Sequence, residues 1–190
     1  MSLVIRDVSK VFDGLQVLQG VNLKFGDKGI YCLMGPSGTG KTTFLRILMG
    51  LERADTGEIK GVEGKRFSAV FQEDRLCEAY TPLDNVMMTA DRFVTKEAAR
   101  GELCRILPEE CVSRPVYTLS GGMKRRTAVC RALLAAYDIL VMDEPFAGLD
   151  EETRGKVIGY VREKTEGKLV ILSTHMEEDA AALGGMVVRL

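Results

Sequence analysis

The chain has 190 residues, 46% of them hydrophobic and 28% charged, which is an ordinary composition for one soluble globular domain. At 20.9 kDa it is long enough to bury a proper hydrophobic core. Its formal net charge of -1 gives no long-range attraction to nucleic acids or to anionic membranes.

In the first half of the chain, short apolar and β-branched runs precede and follow a helical pattern. The predicted strands are Leu3–Ile5, Val17–Phe25, Gly29–Met34, Gly57–Lys60 and Phe67–Phe71. A helix is predicted over Lys41–Gly50, and a mostly helical stretch over Thr81–Leu107. Within that stretch, Thr81 before Pro82 is typical of an N-cap followed by proline at the first helical position, and Thr95 begins a second helical pattern.

The second half alternates regularly between helices and strands. The predicted elements are helix Ser120–Ala136, strand Asp138–Met142, helix Glu151–Lys164, strand Leu169–Ser173, helix Glu177–Leu183 and strand Met186–Leu190. This alternation indicates an α/β fold with a mainly parallel sheet and right-handed crossovers. We expect one domain over residues 1–190, with a helical subdomain inserted at about residues 76–118 and no C-terminal regulatory domain.

A glycine-rich segment lies between a predicted strand and a predicted helix, and its sequence is Gly35-Pro36-Ser37-Gly38-Thr39-Gly40-Lys41-Thr42-Thr43. The spacing is that of a phosphate-binding loop. Its glycines let backbone N–H groups approach phosphate oxygens, and the helix that follows adds the positive end of its dipole. Lys41 would supply charge to the β- and γ-phosphates, and the Thr42 hydroxyl a magnesium ligand. The alternative, a turn without a ligand, is disfavoured by the Lys-Thr pair in this context.

Two carboxylates stand at the end of the apolar run Ile139–Met142. Asp143 ends that strand, where its carboxylate can meet magnesium beside the phosphate loop, and Glu144 follows at once. Residues at the carboxyl ends of such strands face the ligand crevice. Glu144 is therefore a candidate for polarising the water that attacks the γ-phosphate. A capping or salt-bridge role for Glu144 is the alternative.

A Ser-Gly-Gly turn, Ser120-Gly121-Gly122, opens a helix upstream of Asp143. Together with the phosphate loop, this order of motifs resembles the nucleotide-binding subunits of ATP-binding-cassette (ABC) transporters over essentially the whole chain. The resemblance implies a P-loop NTPase fold with an N-terminal antiparallel β subdomain, hydrolysis of ATP, and Mg²⁺. In that family the Ser-Gly-Gly motif completes the ATP site of a second, facing subunit. The alternative is an ordinary Ser N-cap followed by flexible glycines. Met123 replaces the glutamine most often found there.

The resemblance assigns roles to further residues. Gln72 matches the Q-loop, which touches magnesium and relays the nucleotide state to the membrane partner. Asp150 matches a loop that crosses the dimer interface, and His175, the one histidine of the chain, matches a switch histidine that contacts the γ-phosphate. Gln72, Glu144 and His175 thus join Lys41 as catalytic candidates. Phe12 lies where the family places an aromatic ring that stacks on adenine; its alternative is a core position. Stacking alone does not exclude GTP.

The stretch from Val70 to Leu76, continuing to Leu83–Val86, resembles importers of small anions such as nitrate, sulfonates and taurine. Leu76, Cys77 and Tyr80 either line a groove for a cytoplasmic helix of a permease or pack inside the helical subdomain. The implied partners are integral-membrane permease subunits, a second copy of this chain and an extracytoplasmic solute-binding protein, with no nucleic acid.

Two other functions compete with transport. One is a non-transport ABC ATPase in DNA repair, chromosome structure or translation, but those forms usually carry coiled coils or two cassettes, and no heptad pattern is present. The balanced charge also lacks the basic footprint of a nucleic-acid binder. The densest basic run, Lys124-Arg125-Arg126, is interpreted as a solvated helix face. A nucleotide-binding regulator without catalysis would not need Glu144.

The cysteines and the N-terminus indicate the compartment. Five cysteines form no Cys-x-x-Cys pair, and Cys32 and Cys130 lie in apolar stretches typical of a core. No signal-peptide pattern and no apolar run of membrane-spanning length is present. We therefore expect a cytoplasmic protein, and the family resemblance implies that a permease holds it at the inner face of the cell membrane.

Overall fold

The computed structural model describes residues 2–190, so Met1, the first residue of the expected domain, lies outside it. The strands are β1 (Leu3–Phe12), β2 (Leu15–Phe25), β3 (Gly29–Met34), β4 (Thr56–Lys60), β5 (Phe67–Val70), β6 (Ile139–Asp143), β7 (Leu169–Ser173) and β8 (Met186–Arg189). The α-helices are α1 (Lys41–Leu48), α2 (Pro82–Met87), α3 (Lys96–Cys104), α4 (Gly121–Leu134), α5 (Glu151–Lys164) and α6 (Glu177–Leu183). Short 3₁₀ turns cover Glu109–Cys111 and Val116–Thr118.

The larger sheet has the strand order β5-β6-β7-β3-β8, and its neighbouring strands pair in parallel. Every residue of β6 and β7 is buried, as expected for strands covered by helices on both faces. The pairing register places Asp143 opposite Ser173 at the carboxyl edge of the sheet. β3 ends at the same edge and leads directly into the glycine-rich loop. The predicted parallel α/β core is confirmed.

The smaller sheet is antiparallel, with the order β2-β1-β4. Its first strand, β1, continues to Phe12 and is therefore longer than the predicted Leu3–Ile5. The pairing of β1 with both neighbours shifts in register near Asp7, whose backbone is left-handed with φ 47°. This irregularity interrupts the apolar alternation that the sequence pattern relied on. A tight Asp13-Gly14 turn, with positive φ at both residues, then joins β1 to β2.

The hydrophobic core lies on both faces of the parallel sheet. On one face, Phe44, Leu45 and Leu48 of α1 pack with β-strand residues such as Val141 and Ile171. The other face is covered mainly by α4, α5 and α6 together with the helices between residues 82 and 104. Helix α1 is thereby held against the strands, and the glycine-rich loop is held between them. Cys32 and Cys130 are fully buried, as predicted.

The predicted caps of α2 and α3 are confirmed. Thr81 forms a reciprocal capping box with Asp84, and Pro82 takes the first helical position. The Thr95 hydroxyl accepts a hydrogen bond from the backbone N–H of Ala98. These helices occupy the stretch expected to be an inserted helical subdomain, and its limits of about 76 and 118 remain a prediction. Within residues 2–190, no helix has the length and apolar character needed to cross a membrane.

Candidate functional site

The glycine-rich loop between β3 and α1 depends on two left-handed residues. Gly38 and Gly40 have φ angles of 86° and 85°. A Cβ atom on Gly40 would lie 2.7 Å from the carbonyl oxygen of Val17, so this position requires glycine for space as well as for conformation. The Thr39 hydroxyl donates to the carbonyl oxygen of Pro36 at 2.9 Å, which closes the loop on itself.

Lys41 begins α1, and its side chain turns back over this loop. Its Nζ donates to the carbonyl oxygens of Gly35 at 2.6 Å and Pro36 at 3.0 Å, and the residue is only 8% exposed. Gly40 caps α1 without a side-chain hydrogen bond, and the first turn holds no acidic residue. The first N–H groups of a helix have no intrahelical partner. These groups and the ammonium of Lys41 together favour an anion.

A cavity of about 280 Å³ lies in front of the loop and brings together residues that are far apart in the sequence. It is lined by Val17, Ser37, Gly38, Gly40, Lys41, Thr42, Thr43, Gln72, Asp143 and Glu144. A neighbouring cavity of about 470 Å³ shares Thr42, Gln72 and Asp143 and continues along α1. The side chains at the shared region are a hydroxyl (Thr42), an amide (Gln72) and a carboxylate (Asp143). Oxygen atoms of these groups are ligands that suit Mg²⁺.

Ser173 joins the two carboxylate residues at the end of β6. Its hydroxyl donates to Oδ1 of Asp143 at 2.5 Å and accepts the backbone N–H of Glu144 at 2.9 Å. Asp143 is buried, and Glu144 has a left-handed backbone with φ 48°. A non-glycine residue adopts this conformation only where its surroundings enforce it. Ser173 thus fixes the carboxylate of Asp143 and the backbone of Glu144 at the edge of the cavity.

His175 contacts the side chain of Glu144. Its Nδ1 lies 3.1 Å from Oε2 of Glu144. Because an ionised carboxylate only accepts hydrogen bonds, Nδ1 must carry the hydrogen in this contact. The partner that the salt-bridge alternative for Glu144 requires is thus the candidate switch histidine, and the contact in the structure is a hydrogen bond. His175 reaches the cavity through this contact and does not line it.

The remaining predicted residues lie outside the cavity lining. Ser120 is the N-cap of α4, and its hydroxyl accepts the backbone N–H of Met123 at 3.3 Å. Asp150 caps α5 in the same way, accepting from Thr153 at 2.9 Å. The ordinary capping role considered for Ser120 is therefore real, while both Ser120 and Asp150 stay exposed to solvent.

Phe12 lies at the end of β1 and is 40% exposed, so the alternative of a core position is wrong. The Nζ atom of Lys10 lies 4.8 Å from the centroid of its ring. Of the residues considered for a groove, Cys77 and Tyr80 are exposed, whereas Leu76 is partly buried against the core. The alternative of packing inside the helical subdomain thus fits Leu76, while a groove formed with Cys77 and Tyr80 stays a prediction.

The interpretation of Lys124-Arg125-Arg126 as a solvated helix face is wrong. Arg125 is only 9% exposed, and its guanidinium donates to the carbonyl oxygens of Phe71 and Gln72. Arg126 donates to the carbonyl oxygen of Ile106 at 2.6 Å. The sequence did not predict the burial of Arg125 and the partial burial of Arg126, because their guanidinium groups donate to backbone carbonyl groups, which any sequence contains.

Sequence reasoning also missed Ser173. The sequence pattern predicts it as the last residue of a strand and assigns it no role, although it lies beside Asp143 at the carboxyl edge of the parallel sheet. A polar residue at the end of an otherwise apolar parallel strand was the available signal.

Comparisons with known proteins agree with this geometry. A family model described as "ABC transporter" matches residues 18–147. An aliphatic sulfonates import ATP-binding protein from Nocardia farcinica is 37% identical over 189 residues, covering 98% of this chain and 76% of that protein. A sulfate/thiosulfate import ATP-binding protein from Methylococcus capsulatus is 33% identical over 210 residues, covering 100% of this chain. The chain spans 60% of the length of that relative.

Solved structures show the same fold. The dimeric structure of a bacterial ABC transporter cassette superimposes with a TM-score of 0.87 and 26% identity, over 99% of this chain and 94% of that chain. A dimeric post-hydrolysis state of an ATP-binding cassette, bound to ADP and Pi, gives a TM-score of 0.84 at 25% identity, over 99% of this chain and 94% of that chain. With a family model over most of its length, a cassette fold and a phosphate-loop cavity, the chain belongs to the ABC transporter family.

Proposed function

We propose that this chain is the ATP-hydrolysing subunit of an ABC transporter, which dimerises around ATP and powers a separate membrane permease. The observation that carries the proposal is the cavity in which Lys41, Gln72, Asp143 and Glu144 lie together. A protein that only bound nucleotide would not need Glu144 held at that edge. The names of the relatives support import of a small solute or anion, since they are sulfonate and sulfate/thiosulfate import proteins.

Thr42, Gln72 and Asp143 are the residues proposed to hold Mg²⁺. All three line both cavities, and hydroxyl, amide and carboxylate oxygens suit this ion. When bound, Mg²⁺ would neutralise charge on the β- and γ-phosphates. Asp143 stays correctly oriented for this role because Ser173 holds its other carboxylate oxygen.

The chain's own groups divide the remaining work. Lys41 and the glycine-rich loop bind the phosphates, and Phe12 offers an exposed ring to the base, adenine or guanine. The carboxylate of Glu144 accepts a hydrogen from the attacking water and orients it. His175 holds that carboxylate by its 3.1 Å contact and is proposed to reach the γ-phosphate.

Ser120, Gly121 and Gly122 are proposed to act on the nucleotide of a second copy. They open α4 at an exposed position outside the cavity of their own chain, where free N–H groups can meet a γ-phosphate from outside. Asp150 lies at an equally exposed helix start and is proposed to cross the same interface. Cassettes of similar fold have been solved as dimers, which supports the pairing of two copies.

The import names of the relatives support permease subunits in the membrane as partners. An extracytoplasmic solute-binding protein and the lack of a nucleic-acid partner are further parts of the proposal, which rest on the family resemblance and on the balanced charge. The chain would then be cytoplasmic, at the inner face of the cell membrane. Exposed Cys77 and Tyr80, next to the segment that carries Gln72, are proposed to face the permease.

The substitution Glu144→Gln tests catalysis. Glutamine keeps the shape but accepts no proton, so we expect ATP hydrolysis to fall about 100-fold or more while ATP binding persists. Dimers should accumulate with ATP on size-exclusion chromatography. Glu97→Gln, at an exposed position on α3, is the control and should hydrolyse at the parental rate. Equal rates in Glu144→Gln and the parent would exclude the proposed role.

Mixing two inactive variants tests the shared site. A heterodimer of Lys41→Ala and Ser120→Arg chains contains one site with both defects and one intact site. In a statistical mixture this predicts recovery of up to about a quarter of parental activity. Lys41→Ala mixed with Asp143→Asn is the control, because each phosphate cavity then carries a defect and no activity should return. Equal behaviour of the two mixtures would contradict a site built from two chains.

Removal of the Phe12 ring tests base stacking. Loss of one aromatic–base contact costs about 1–3 kcal/mol, so Phe12→Ala should raise the Kd for ATP by about 5- to 150-fold. Phe12→Trp should bind nearly as well as the parent. Phe93→Ala removes a ring that is 79% exposed elsewhere and serves as the control in calorimetric titrations. An unchanged Kd in Phe12→Ala would remove this residue from the site.

Affinity purification from detergent-solubilised membranes of the source organism tests transport. We expect a multi-span membrane protein to copurify with the tagged chain. Tyr80→Arg should lose this partner and keep ATP binding, whereas Val187→Arg, at an exposed position of edge strand β8, should keep both. Recovery with ribosomes or DNA alone would favour a non-transport ATPase.

A further inference from the structure

Two arginines of α4 hold the segment that carries Gln72. Arg125 donates to the carbonyl oxygen of Phe71 at 2.7 Å and also to that of Gln72. Arg131 donates to the carbonyl oxygens of Asp74 at 3.0 Å and Arg75 at 2.8 Å. Most carbonyl groups between positions 71 and 75 are therefore bonded to side chains of one helix. We call this set of contacts the arginine clamp.

Asp74 supplies the countercharge within the arginine clamp. Its Oδ1 lies 3.2 Å from Nε of Arg125, but without the geometry of a hydrogen bond, and among residues 2–190 no other group bonds to this buried oxygen. Burial raises the pKa of Asp74, while the charges of Arg125, Lys124 and Arg131 act in the opposite direction. The contact is thus a charge pair. The negative charge of Asp74 compensates the positive charges of the two guanidinium groups between α4 and the loop.

The segment has no regular secondary structure that would hold its shape. Residues 71–76 follow the end of β5 and belong to no helix or strand. Arg75 has a left-handed backbone with φ 48°, which a non-glycine residue adopts only under constraint. Two contacts constrain Arg75 at this point: Arg131 donates to its carbonyl oxygen, and its own guanidinium carbon lies 3.9 Å from the centroid of the Phe71 ring.

The same helix begins at the Ser-Gly-Gly motif. Ser120 caps α4, and Arg125 lies five positions further along this rigid element. Gln72 meanwhile lines the phosphate cavity together with Lys41 and Asp143. A displacement of α4 by whatever meets Ser120 must therefore move the backbone of Gln72, or break two charged hydrogen bonds.

We propose that Arg125 is a positioning residue for Gln72, tying its carbonyl group to the helix that presents Ser120. The inference rests on the proposed function, because it assigns Arg125 a part in the hydrolysis of ATP. A purely structural role for Arg125 predicts a different result, because loss of Arg125 would then lower the stability of the chain without acting through Gln72. Arg125 acts on the rate and not on nucleotide affinity, since it touches no residue of the glycine-rich loop among its described contacts.

A double-mutant cycle on the full chain tests the proposal. Arg125→Met should lower kcat for ATP about tenfold and leave KM within about twofold. In a Gln72→Ala background the same substitution should lower kcat by less than about twofold further, because the group it positions is gone. Arg125→Lys keeps the charge beside Asp74 but lacks the planar fork, so it should keep the parental Tm and still lose kcat.

Arg105→Met is the matched control. Arg105 also makes side-chain hydrogen bonds, to Glu163 at 2.9 and 2.7 Å and to Glu102 at 3.4 Å, but it lies outside the arginine clamp. Its removal should leave kcat and KM unchanged. Hydrogen exchange gives a readout that needs no activity, since amides of residues 71–76 should exchange at least about tenfold faster in Arg125→Met and at the parental rate in Arg105→Met.

The outcomes separate the two ideas. Equal fold losses from Arg125→Met with and without Gln72 would overturn the positioning role, as would unchanged exchange in residues 71–76. A parent chain that binds ATP but never hydrolyses it would instead overturn the proposed function and, with it, any kinetic role for Arg125. The exchange experiment would then still decide whether the arginine clamp holds the Gln72 segment.

Discussion

The candidate site depends on one buried hydrogen bond, from the Ser173 hydroxyl to the Asp143 carboxylate. Every residue of β6 and β7 is buried, so the apolar pattern alone distinguishes poorly between alternative registers of these parallel strands. The polar pair does distinguish them. A slip of one residue would leave a buried carboxylate without its partner, which costs far more than the exchange of apolar neighbours. The bond that orients Asp143 therefore also fixes the register that builds the cavity.

Helix α4 connects two parts of the site that are distant in sequence. Its N-terminus presents Ser120, and its buried arginines hold the backbone around Gln72. Loops usually move independently of the scaffold on which they lie. Here the loop is bonded through its carbonyl groups to a rigid element, so the two must move together. A contact at the N-terminus of α4 can thus change the position of Gln72 at the cavity.

Much of the fold and of the cavity could be predicted from sequence because each depends on local rules. Glycine spacing, apolar strand runs and the Thr81 and Thr95 caps are read from neighbouring residues, and the phosphate loop, Asp143 and Glu144 were found in that way. The missed features depend on tertiary contacts. Arg125 bonds to backbone groups more than 50 positions away, and Ser173 meets its partners only through strand pairing. Arg125 leaves no local pattern, and the polar end of the apolar strand at Ser173 gains a meaning only once its pairing with β6 is known.

The geometry also bears on why two chains would be needed. Within one chain, Lys41, Asp143 and Glu144 already share a cavity, so nucleotide contact with them would hardly differ between separate and paired chains. A ligand shifts an equilibrium only by its difference in affinity for the two states. Ser120 and its helix N-terminus, exposed and outside that cavity, can supply this difference only from a second copy. Since Ser120 caps α4 and Arg125 of the same helix bonds to the carbonyl oxygen of Gln72, pairing and the arrangement of the cavity would then be linked through α4.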